Sequence, residues 1–382
     1  METTRTPTDP FARLDSLFLS TGTFSDNASA SDSSSWFSDS LAEAKTISAN
    51  TADKAYRKLT SCENVTSYSL LTQLHECPRK YELEKLQANH ASSLLAEPVT
   101  NIDFAYGHAV GSGIQTYAAT GSVEAGIFAA MLAWRAPYDA EKLDARGNPT
   151  GKSLAMATLA VEKFSGWWQE HMSDWEVVVL PSGKKAVELA FAVDFQNGRY
   201  HFGHIDVLLR NKQSGTLAVW EGKTTGFENV KEAVYANSSQ ALGYSVVVDA
   251  IAKEIGADGT EYEVLYIVYS SKSREFQLLP FGKTRSQRAE WLQDTLLDHA
   301  SLDTYKRIKF YPKRGENCVS KYGFVCKWFG NCTMRNESLF PGLQLPVLEP
   351  EQVASVEALD FVFKLDDLVS AQNNKATDVD SN

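Results

Sequence analysis

The chain of 382 residues lacks any run of about 18 apolar residues, so no segment has the length of a membrane-spanning helix. The N-terminal residues METTRTPTDP lack the basic region and apolar core of a secretory signal, and we therefore expect a cytoplasmic protein. There are only five cysteines, and a reducing compartment favours thiols or metal ligands over disulfides. Basic residues are outnumbered, at 37 against 48 acids, which argues against a protein that coats nucleic acid nonspecifically.

The net charge of −11 is unevenly distributed along the chain. Residues 270–335 hold thirteen basic and six acidic side chains, whereas residues 341–382 hold eight acidic and two basic ones. A basic segment inside an acidic protein is compatible with a local phosphate-binding surface, although a cluster of charges is more often a solvated face.

Composition also divides the chain into regions. Residues 1–60 contain twenty Ser or Thr and a single Gly. A segment of this kind buries too little apolar surface to offset its chain entropy. We therefore predict a disordered tail over residues 1–62, a folded domain over 63–340 and an acidic C-terminal tail over 341–382.

Hydrophobic periodicity predicts an α/β fold. A first helix is expected after the N-cap residue Ser67, because the apolar residues from Leu70 to Leu86 follow a helical period. The further predicted helices cover about 104–118, 123–134, 153–171, 230–253 and 284–300. Apolar segments rich in β-branched and aromatic residues predict strands at 186–195, 199–210, 216–224, 263–271 and 275–281. This order indicates a sheet flanked by helices, with a helical insert over about 104–175 ahead of it.

Charged residues lie at the ends of two neighbouring predicted strands. Asp206 closes the motif GHID in one strand, and Glu221 and Lys223 lie two apart on the next, so they face the same side of it. A short loop between the strands lets two carboxylates converge beside an ammonium group. Mg²⁺ prefers such oxygen ligands together with water and phosphate, as phosphodiester hydrolysis requires. The alternative is that these are ordinary strand-end charges, with Lys223 as the salt-bridge partner.

A family resemblance rests on several motifs taken together. Gln240 and Tyr244 are spaced i and i+4, which places them on one helix face after the strands. The motifs GHID ending at Asp206, EGK at 221–223 and QALGY at 240–244 resemble, in that order, those of the PD-(D/E)XK nuclease superfamily. The RecB-like branch, which includes CRISPR-associated and phage exonucleases, is also similar in its first helix, here SYS at 67–69 and ECPRKY at 76–81.

The resemblance spans residues 66–335 and implies a restriction-endonuclease-like core, that is, a central mixed sheet flanked by helices. It also implies a role for each matching residue. Asp206, Glu221 and the backbone carbonyl of Gly222 are expected to bind Mg²⁺ or Mn²⁺, and Lys223 is expected to assist the attacking water. The helix motif at 240–244 is expected to support the active site and the DNA.

One helix departs from the pattern of the branch. The branch usually carries a metal-binding His in a helix of the form G-x-x-V-H-x-x-x-E, which corresponds here to residues 107–115. Gly111 stands at the His position and Gln115 at the Glu position. His108 lies three residues earlier, and we favour a packing or surface role for it over a role as a substitute ligand.

Three cysteines lie close together in a basic and aromatic segment, residues 310–335, named here the cysteine segment. Their grouping indicates thiolate ligation, by zinc or by an iron–sulfur cluster, with a fourth ligand from elsewhere. The aromatic and basic side chains suit either single-stranded DNA or packing around the metal. The resembling branch often holds a four-iron four-sulfur cluster with one Cys of the first-helix motif and three after the core. That implies the same role for Cys77, Cys318, Cys326 and Cys332, and leaves Cys62 without one.

These observations predict a deoxyribonuclease that depends on Mg²⁺ or Mn²⁺. The resemblance implies an exonuclease that acts on single-stranded DNA or duplex ends in recombination, repair or replication, in a phage or bacterial context. A catalytically inactive nuclease fold that serves as a DNA-binding or assembly module is the main alternative, which the altered helix at Gly111 and Gln115 favours. A thiol-ligated zinc protein of unrelated purpose is a third.

Overall fold

The computed structural model describes residues 65–91, 101–144, 146–195, 198–228, 230–257, 262–319, 325–329, 332, 361–364 and 366–368. The predicted tail over 1–62 and most of the predicted acidic tail over 341–382 lie outside these residues, as does Cys62. All of the described residues belong to one unit. No helix among them has the length and apolarity to cross a membrane.

Most of the predicted helices and strands are present, and several helices begin at a Ser, Thr or Asn that caps the first turn. The strands are β1 (Val65–Ser67), β2 (Glu141–Leu143), β3 (Pro149–Ser153), β4 (Trp175–Val177), β5 (Val187–Asp194), β6 (Tyr200–Asn211), β7 (Leu217–Thr225), β8 (Tyr262–Ser270), β9 (Glu275–Gly282) and β10 (Phe361–Lys364). The helices are α1 (Tyr68–Glu76), α2 (Pro78–Ala91), α3 (Ile102–Thr120), α4 (Val123–Ala133), α5 (Leu154–His171), α6 (Glu232–Ala236), α7 (Ser239–Ile251) and α8 (Arg285–Ile308).

Eight of these strands form one mixed sheet, and β2 and β3 form a separate hairpin. The main order is β10, β5, β6, β7, β8, β9, and β1 and β4 also pair with β6. The parallel pairs are β7 with β8, β10 with β5 and β1 with β6, whereas the other pairs are antiparallel. A mixed central sheet with flanking helices confirms the predicted α/β class and the restriction-endonuclease-like core.

Helices cover both faces of this sheet. On one face, Tyr244 of α7 and Trp291 of α8 pack into a core with Tyr266 of β8. On the other face, α3, α4 and α5 share a second core, in which Phe164 of α5 stacks on Trp220 of β7 with ring centroids 5.5 Å apart. The predicted helical insert therefore forms one of the two helical layers that hold the strands in place.

The first predicted helix is interrupted at Cys77. α1 ends at Glu76 and α2 begins at Pro78, and Cys77 between them is extended, with φ −165° and ψ 111°. The residue before a proline avoids the helical region, because the proline ring clashes with its backbone. The prediction of one continuous helix was therefore wrong at this residue, and Cys77 lies at the junction of two helices.

Other elements also differ from the predictions, and the short strands β1, β2, β3 and β4 were not predicted at all. The helix predicted over 230–253 is split into α6 and α7, and α8 continues to Ile308 instead of ending at 300. β10 lies within the predicted tail over 341–382 and pairs with β5, so this short part of the segment belongs to the sheet. A four-residue strand is too short to give a clear alternating pattern, and its pairing partner is far away along the chain.

Candidate active site

Asp206 lies in the middle of β6, so the prediction that it stands at a strand end was wrong, but the pairing of β6 with β7 ends just before it. The last pair is Val207 with Trp220, so Asp206 and Glu221 are the next residues in register and are not paired. β7 meanwhile stays paired with β8 along its whole length. β6 and β7 therefore separate here. The backbone N–H of Gly222 in β7 donates to the side chain of Asp206 in β6, at Oδ2, over 2.8 Å.

A chain of hydrogen bonds joins the predicted residues of β7 to those of α7. Lys223 Nζ donates to Glu221 Oε1 at 2.5 Å and to Gln240 Oε1 at 3.0 Å. Gln240 Nε2 donates to the hydroxyl oxygen of Tyr244 at 2.9 Å, one helical turn further along α7. Tyr244 is buried and lies edge-on to the ring of Phe191 in β5. The structure thus brings together the carboxylates, the lysine and the helix motif that the sequence pattern singled out.

Burial raises the pKa values of both carboxylates, and repulsion by Asp206 adds to the effect on Glu221. Desolvation raises the pKa of Glu221 to about 8, and the negative charge of Asp206 adds to this effect. Desolvation also raises the pKa of Asp206, against the opposing influence of Lys223 and the N–H of Gly222. Burial alone would lower the pKa of Lys223, but the charges of Glu221 and Asp206 outweigh it, so this pKa lies above its ordinary value. One ammonium group does not balance two adjacent carboxylates.

The residues present fit a divalent cation. Glu221 is 1% exposed, and its Oε2 has no hydrogen-bond partner among the described residues. A buried carboxylate oxygen is costly unless a donor or a cation satisfies it. Mg²⁺ and Mn²⁺ accept one or two carboxylates and a backbone carbonyl, with water completing the shell. In the described part of the chain, no group of three or more His, Cys, Asp or Glu side chains is placed to hold a metal ion.

Gly203, which begins the GHID motif, allows the close packing behind the site. A Cβ atom at this position would lie 2.3 Å from Cζ of Phe191 and 3.2 Å from Cε1 of Tyr244. Both rings are buried, so neither has room to move away. A residue without a side chain is therefore needed where α7 meets β6.

The carboxylates line a cleft with a volume of about 710 Å³, and α3 forms one of its walls. His108, Gly111 and Gln115 all line this wall. His108 is exposed there, Gln115 is buried, and a Cβ atom at Gly111 would meet nothing within 4 Å. The cleft therefore has open space at the position where the resembling branch carries a metal-binding His.

The same cleft is lined by other residues that no sequence motif singled out, among them Phe104, Arg135, Lys152 and Glu188. Glu188 is the residue of β5 that falls opposite Asp206, between two regular pairs of β5 and β6. Its φ of +50° is in the left-handed region that residues other than glycine rarely adopt. No local pattern identifies these residues, because strand register and the docking of the insert bring them to the cleft.

The cysteine segment docks on α2. Lys327 Nζ and Trp328 Nε1 donate to the carboxylate of Glu84 at 2.9 Å and 3.0 Å. At the junction of α1 and α2, the N–H of Arg314 donates to Cys77 Sγ at 3.4 Å. Contacts distant in sequence thus bring the first-helix cysteine to the segment that carries the other three.

The four predicted cysteine ligands share one neighbourhood. Desolvation raises the pKa of Cys318, and the nearby Cys332, Cys326 and Cys77 raise it further. All four thiols are free and partly exposed. The N–H of Cys326 donates to the carbonyl of Cys318 at 2.8 Å, which fixes the spacing of these two. The set of four thiols suits a thiolate-ligated centre in its chemistry, although it is not placed as a closed coordination group.

Comparison with known proteins agrees with this geometry. The family model of the PD-(D/E)XK nuclease superfamily matches residues 65–333, and the chain belongs to this superfamily. Among solved structures, an exonuclease candidate from Eubacterium rectale is 10% identical, with a TM-score of 0.39, and the match covers 74% of this chain and 94% of that one. The structure of SSO0001 is 11% identical, with a TM-score of 0.21, over 60% of this chain and 83% of that one. A search of curated proteins found no match to this chain.

Proposed function

We propose that the protein is a metal-dependent deoxyribonuclease that acts as an exonuclease on single-stranded DNA or duplex ends. The observation that carries the proposal is the pair of carboxylates where β6 and β7 separate, with Lys223 hydrogen-bonded to one of them on the wall of a cleft. Membership of a nuclease superfamily supports phosphodiester hydrolysis as the reaction. The cytoplasm of a bacterium, or of a bacterium infected by a phage, is the proposed setting, and recombination, repair or replication the proposed process.

Asp206 and Glu221, with the backbone carbonyl that follows Glu221, would hold Mg²⁺ or Mn²⁺. The bound cation supplies Lewis acidity to the phosphate and to water. Because its pKa is raised, Lys223 is protonated at neutral pH and acts as a hydrogen-bond donor, which positions the attacking water or a phosphate oxygen. Gln240 accepts a hydrogen bond from Lys223, and Tyr244 lies at the far end of the same chain, so α7 holds the ammonium group in place.

Basic residues near the end of α8 are the proposed contacts to the DNA backbone. Lys306, Arg307 and Lys309 are all exposed, and Phe310 beside them is exposed as well. Lysine and arginine side chains bind phosphates without regard to sequence, and exposed rings stack on unpaired bases. The positive charge of residues 270–335 supports DNA as the partner of an otherwise acidic protein.

The cysteine set is the proposed site of a four-iron four-sulfur cluster, with zinc as the less favoured occupant. The shared neighbourhood of Cys77, Cys318, Cys326 and Cys332 supports this proposal. Iron and zinc analysis of anaerobically purified protein, with its visible absorption spectrum, tests it. Loss of iron in Cys77→Ser but not in Cys62→Ser is the expected result, and zinc alone or no metal in the wild type would contradict it.

The second candidate function is an inactive nuclease fold that binds DNA without cutting it. The open space at Gly111 is the observation in its favour, because the α3 wall offers no side chain there. The retained chain from Glu221 through Lys223 and Gln240 to Tyr244 argues against it, since a module that only binds DNA has no need of this arrangement.

Digestion of end-labelled linear DNA, single-stranded and duplex, tests the proposed function. The wild type is compared with Lys223→Ala and with the control Lys212→Ala in Mg²⁺, in Mn²⁺ and in EDTA. Lys212 belongs to the loop that joins β6 and β7, and it bonds to the carbonyl of Ser173 away from the cleft. We expect metal-dependent digestion by the wild type and the control, and a rate lower by roughly 10²- to 10⁴-fold in Lys223→Ala.

The outcomes separate the two candidates. Digestion from the ends supports an exonuclease, and the order in which labelled products appear gives its polarity. Binding of DNA by all three proteins without cleavage in either metal would reject the nuclease and support the inactive module. Equal digestion by Lys223→Ala and the wild type would reject the assigned site.

A further inference from the structure

Phe104 is the most exposed large apolar side chain in the part of the chain that the structure describes, at 70%. A single exposed apolar residue is ordinary on a protein surface. Phe104, however, lies on the lining of the cleft that also contains Asp206, Glu221 and Lys223. Its ring is therefore part of the surface that a polymer in this cleft can contact.

The start of α3 is anchored by charged contacts that fix the position of this ring. Asp103, next to Phe104, accepts hydrogen bonds from Lys152 Nζ at 2.8 Å and from Lys142 Nζ at 3.0 Å. Burial would raise the pKa of Asp103, but these two lysines outweigh burial and lower it. The N-cap Asn101 accepts from the N–H of Asp103 at 2.9 Å and secures the same turn. The ring is thus presented on a rigid element, which limits the entropy lost when a ligand stacks on it.

Charge at the mouth of the cleft suits a polyanion. Lys152 and Arg135 line the same cleft as Phe104, and Lys152 is bonded to Asp103, the neighbour of Phe104 in sequence. The cluster of Lys142, Lys152 and Asp103 carries a net positive charge, because two ammonium groups face one carboxylate. An aromatic ring flanked by cations is the arrangement that holds unpaired bases and their phosphates.

The size of the cleft favours a single strand. A volume of about 710 Å³ is within the range that holds a ligand of drug size, comparable to one or two nucleotides. Glu221, at 1% exposed, lies at the base of this space, so a phosphate has to leave the surface to reach it. An unpaired strand can bend inward to do so, whereas a stacked base pair would have to open first.

We propose that Phe104 is a base-stacking platform, on which an unpaired base of a DNA strand rests while Lys152 and Arg135 contact its phosphates. The proposal deepens the proposed nuclease function and rests on it, because it assigns the strand state that enters the cleft. Phe104 is a positioning residue, since it orients the strand and takes no part in the chemistry at phosphorus.

Binding measurements test the platform apart from cleavage. A fluorescein-labelled single-stranded oligonucleotide is titrated with wild type, Phe104→Ala, Phe104→Trp and the control Leu297→Ala, with Ca²⁺ in place of Mg²⁺. Leu297 is 66% exposed on α8 and does not line the cleft, so it matches Phe104 in exposure alone. A second oligonucleotide carries 2-aminopurine, whose fluorescence falls when the base stacks.

We expect Phe104→Ala to weaken single-strand binding roughly tenfold and to relieve the quenching of 2-aminopurine, with Phe104→Trp restoring both. Leu297→Ala should bind like the wild type, and blunt duplex binding should not depend on Phe104. Unchanged binding and quenching in Phe104→Ala, with a wild type that digests DNA in Mg²⁺, would overturn the platform alone. A wild type that neither binds nor digests DNA would overturn the platform together with the nuclease function.

Discussion

The carboxylate site and the cysteine segment are the two proposed metal sites, yet the protein holds their side chains in different ways. Glu221 is buried on β7, which is paired with β8 along its whole length. Side-chain hydrogen bonds from Lys223 to Glu221 and to Gln240 connect β7 to α7. The cysteines are partly exposed, and polar contacts from side chains such as Lys327 attach their segment to α2. The sheet therefore holds the carboxylate site in place without a metal. The position of the cysteine segment depends on weaker contacts.

This difference predicts opposite responses to a missing metal. Two carboxylates held side by side repel each other, and this repulsion lowers the free energy of unfolding when no cation is bound. The Cys318 thiol avoids such a cost by keeping its proton, because desolvation and the nearby cysteines raise its pKa. Removal of metal should therefore destabilise the carboxylate site while its residues stay in place. The cysteine segment should instead become more mobile without such electrostatic strain.

The largest expected effect concerns Glu221. Its pKa is about 8 in the folded protein and near 4.5 ordinarily, so the unfolded chain gives up this proton at lower pH. The contribution of Glu221 to the stability of the metal-free protein is therefore fully present below about pH 4.5 and is lost as the pH rises toward 8. The loss amounts to roughly 3 kcal/mol at pH 7. Glu221→Gln should remove this loss and make the metal-free protein more stable than the wild type.

Urea unfolding in EDTA at pH 6 and pH 8 measures this effect, followed by the same series with Mn²⁺. Mn²⁺ should stabilise the wild type but not Glu221→Gln, because the variant lacks one of the two carboxylates. Glu228→Gln is the matched control, since Glu228 is exposed just beyond β7 and pairs with Lys272. If Glu221→Gln keeps the pH dependence and the response to Mn²⁺, the carboxylate pair is not the strained metal site described here.

Acid should weaken the sheet through two buried histidines. The hydroxyl of Thr66 lies 3.2 Å from a ring nitrogen of His201 and 3.2 Å from one of His299, so it bridges β6 and α8. Desolvation lowers the pKa of His201 to about 3 and that of His299 to about 4. The unfolded chain therefore takes up protons first as the pH falls below about 6.5. Each histidine should therefore lower the free energy of unfolding by about 2 kcal/mol at pH 5.

Urea unfolding at pH 7 and pH 5 checks this prediction in wild type and His299→Gln. The variant should lose about half of the acid sensitivity, whereas the control His171→Gln, on the exposed end of α5, should keep all of it. Equal acid sensitivity in His299→Gln and the wild type would show that other groups control stability in this range. The Thr66 bridge between β6 and α8 would then not be the source of the acid sensitivity.

The convergence of Asp206, Glu221 and Lys223 could be predicted from the sequence because its determinants are local. The two-residue spacing of Glu221 and Lys223 and the four-residue spacing of Gln240 and Tyr244 follow from strand and helix geometry alone. The order of strands then brings Asp206 to the same place. The interruption at Cys77 is also a local effect of the proline that follows it, but the apolar period continues across the break and hides it.

Other features depend on contacts that no local pattern encodes. Glu188 faces Asp206 only because of the register of β5 on β6, and Phe104 reaches the cleft only because the insert packs on the sheet. β10 is four residues long, and its place beside β5 depends on pairing with a strand far away in the chain. The metal content of the cysteine segment stays a prediction, because spacing identifies thiol ligands but does not choose between zinc and iron.

A smaller effect is expected from the packing beneath the carboxylate site. Gly203→Ala would put a Cβ atom 2.3 Å from the ring of Phe191, in a core with no free space. Overpacking of this kind costs roughly 1 to 3 kcal/mol. Gly282→Ala is the matched control, because Gly282 also lies in a strand and a Cβ atom there meets nothing within 4 Å. Thermal unfolding should show a lower midpoint for Gly203→Ala only, and a similar midpoint for both variants would mean that α7 moves away easily.

The smallest effect should distinguish the cysteine segment from the sheet. Glu84→Ala removes the acceptor of Lys327 Nζ and Trp328 Nε1, which are polar contacts near the surface and contribute about 1 kcal/mol or less. Amide exchange at Cys326, whose N–H donates to the carbonyl of Cys318, should therefore quicken severalfold while the midpoint of global unfolding stays unchanged. The control Glu290→Ala, at an exposed position of α8, should alter neither. A fall in the global midpoint of Glu84→Ala would instead make the cysteine segment part of the cooperative core, and the contrast between the two sites would disappear.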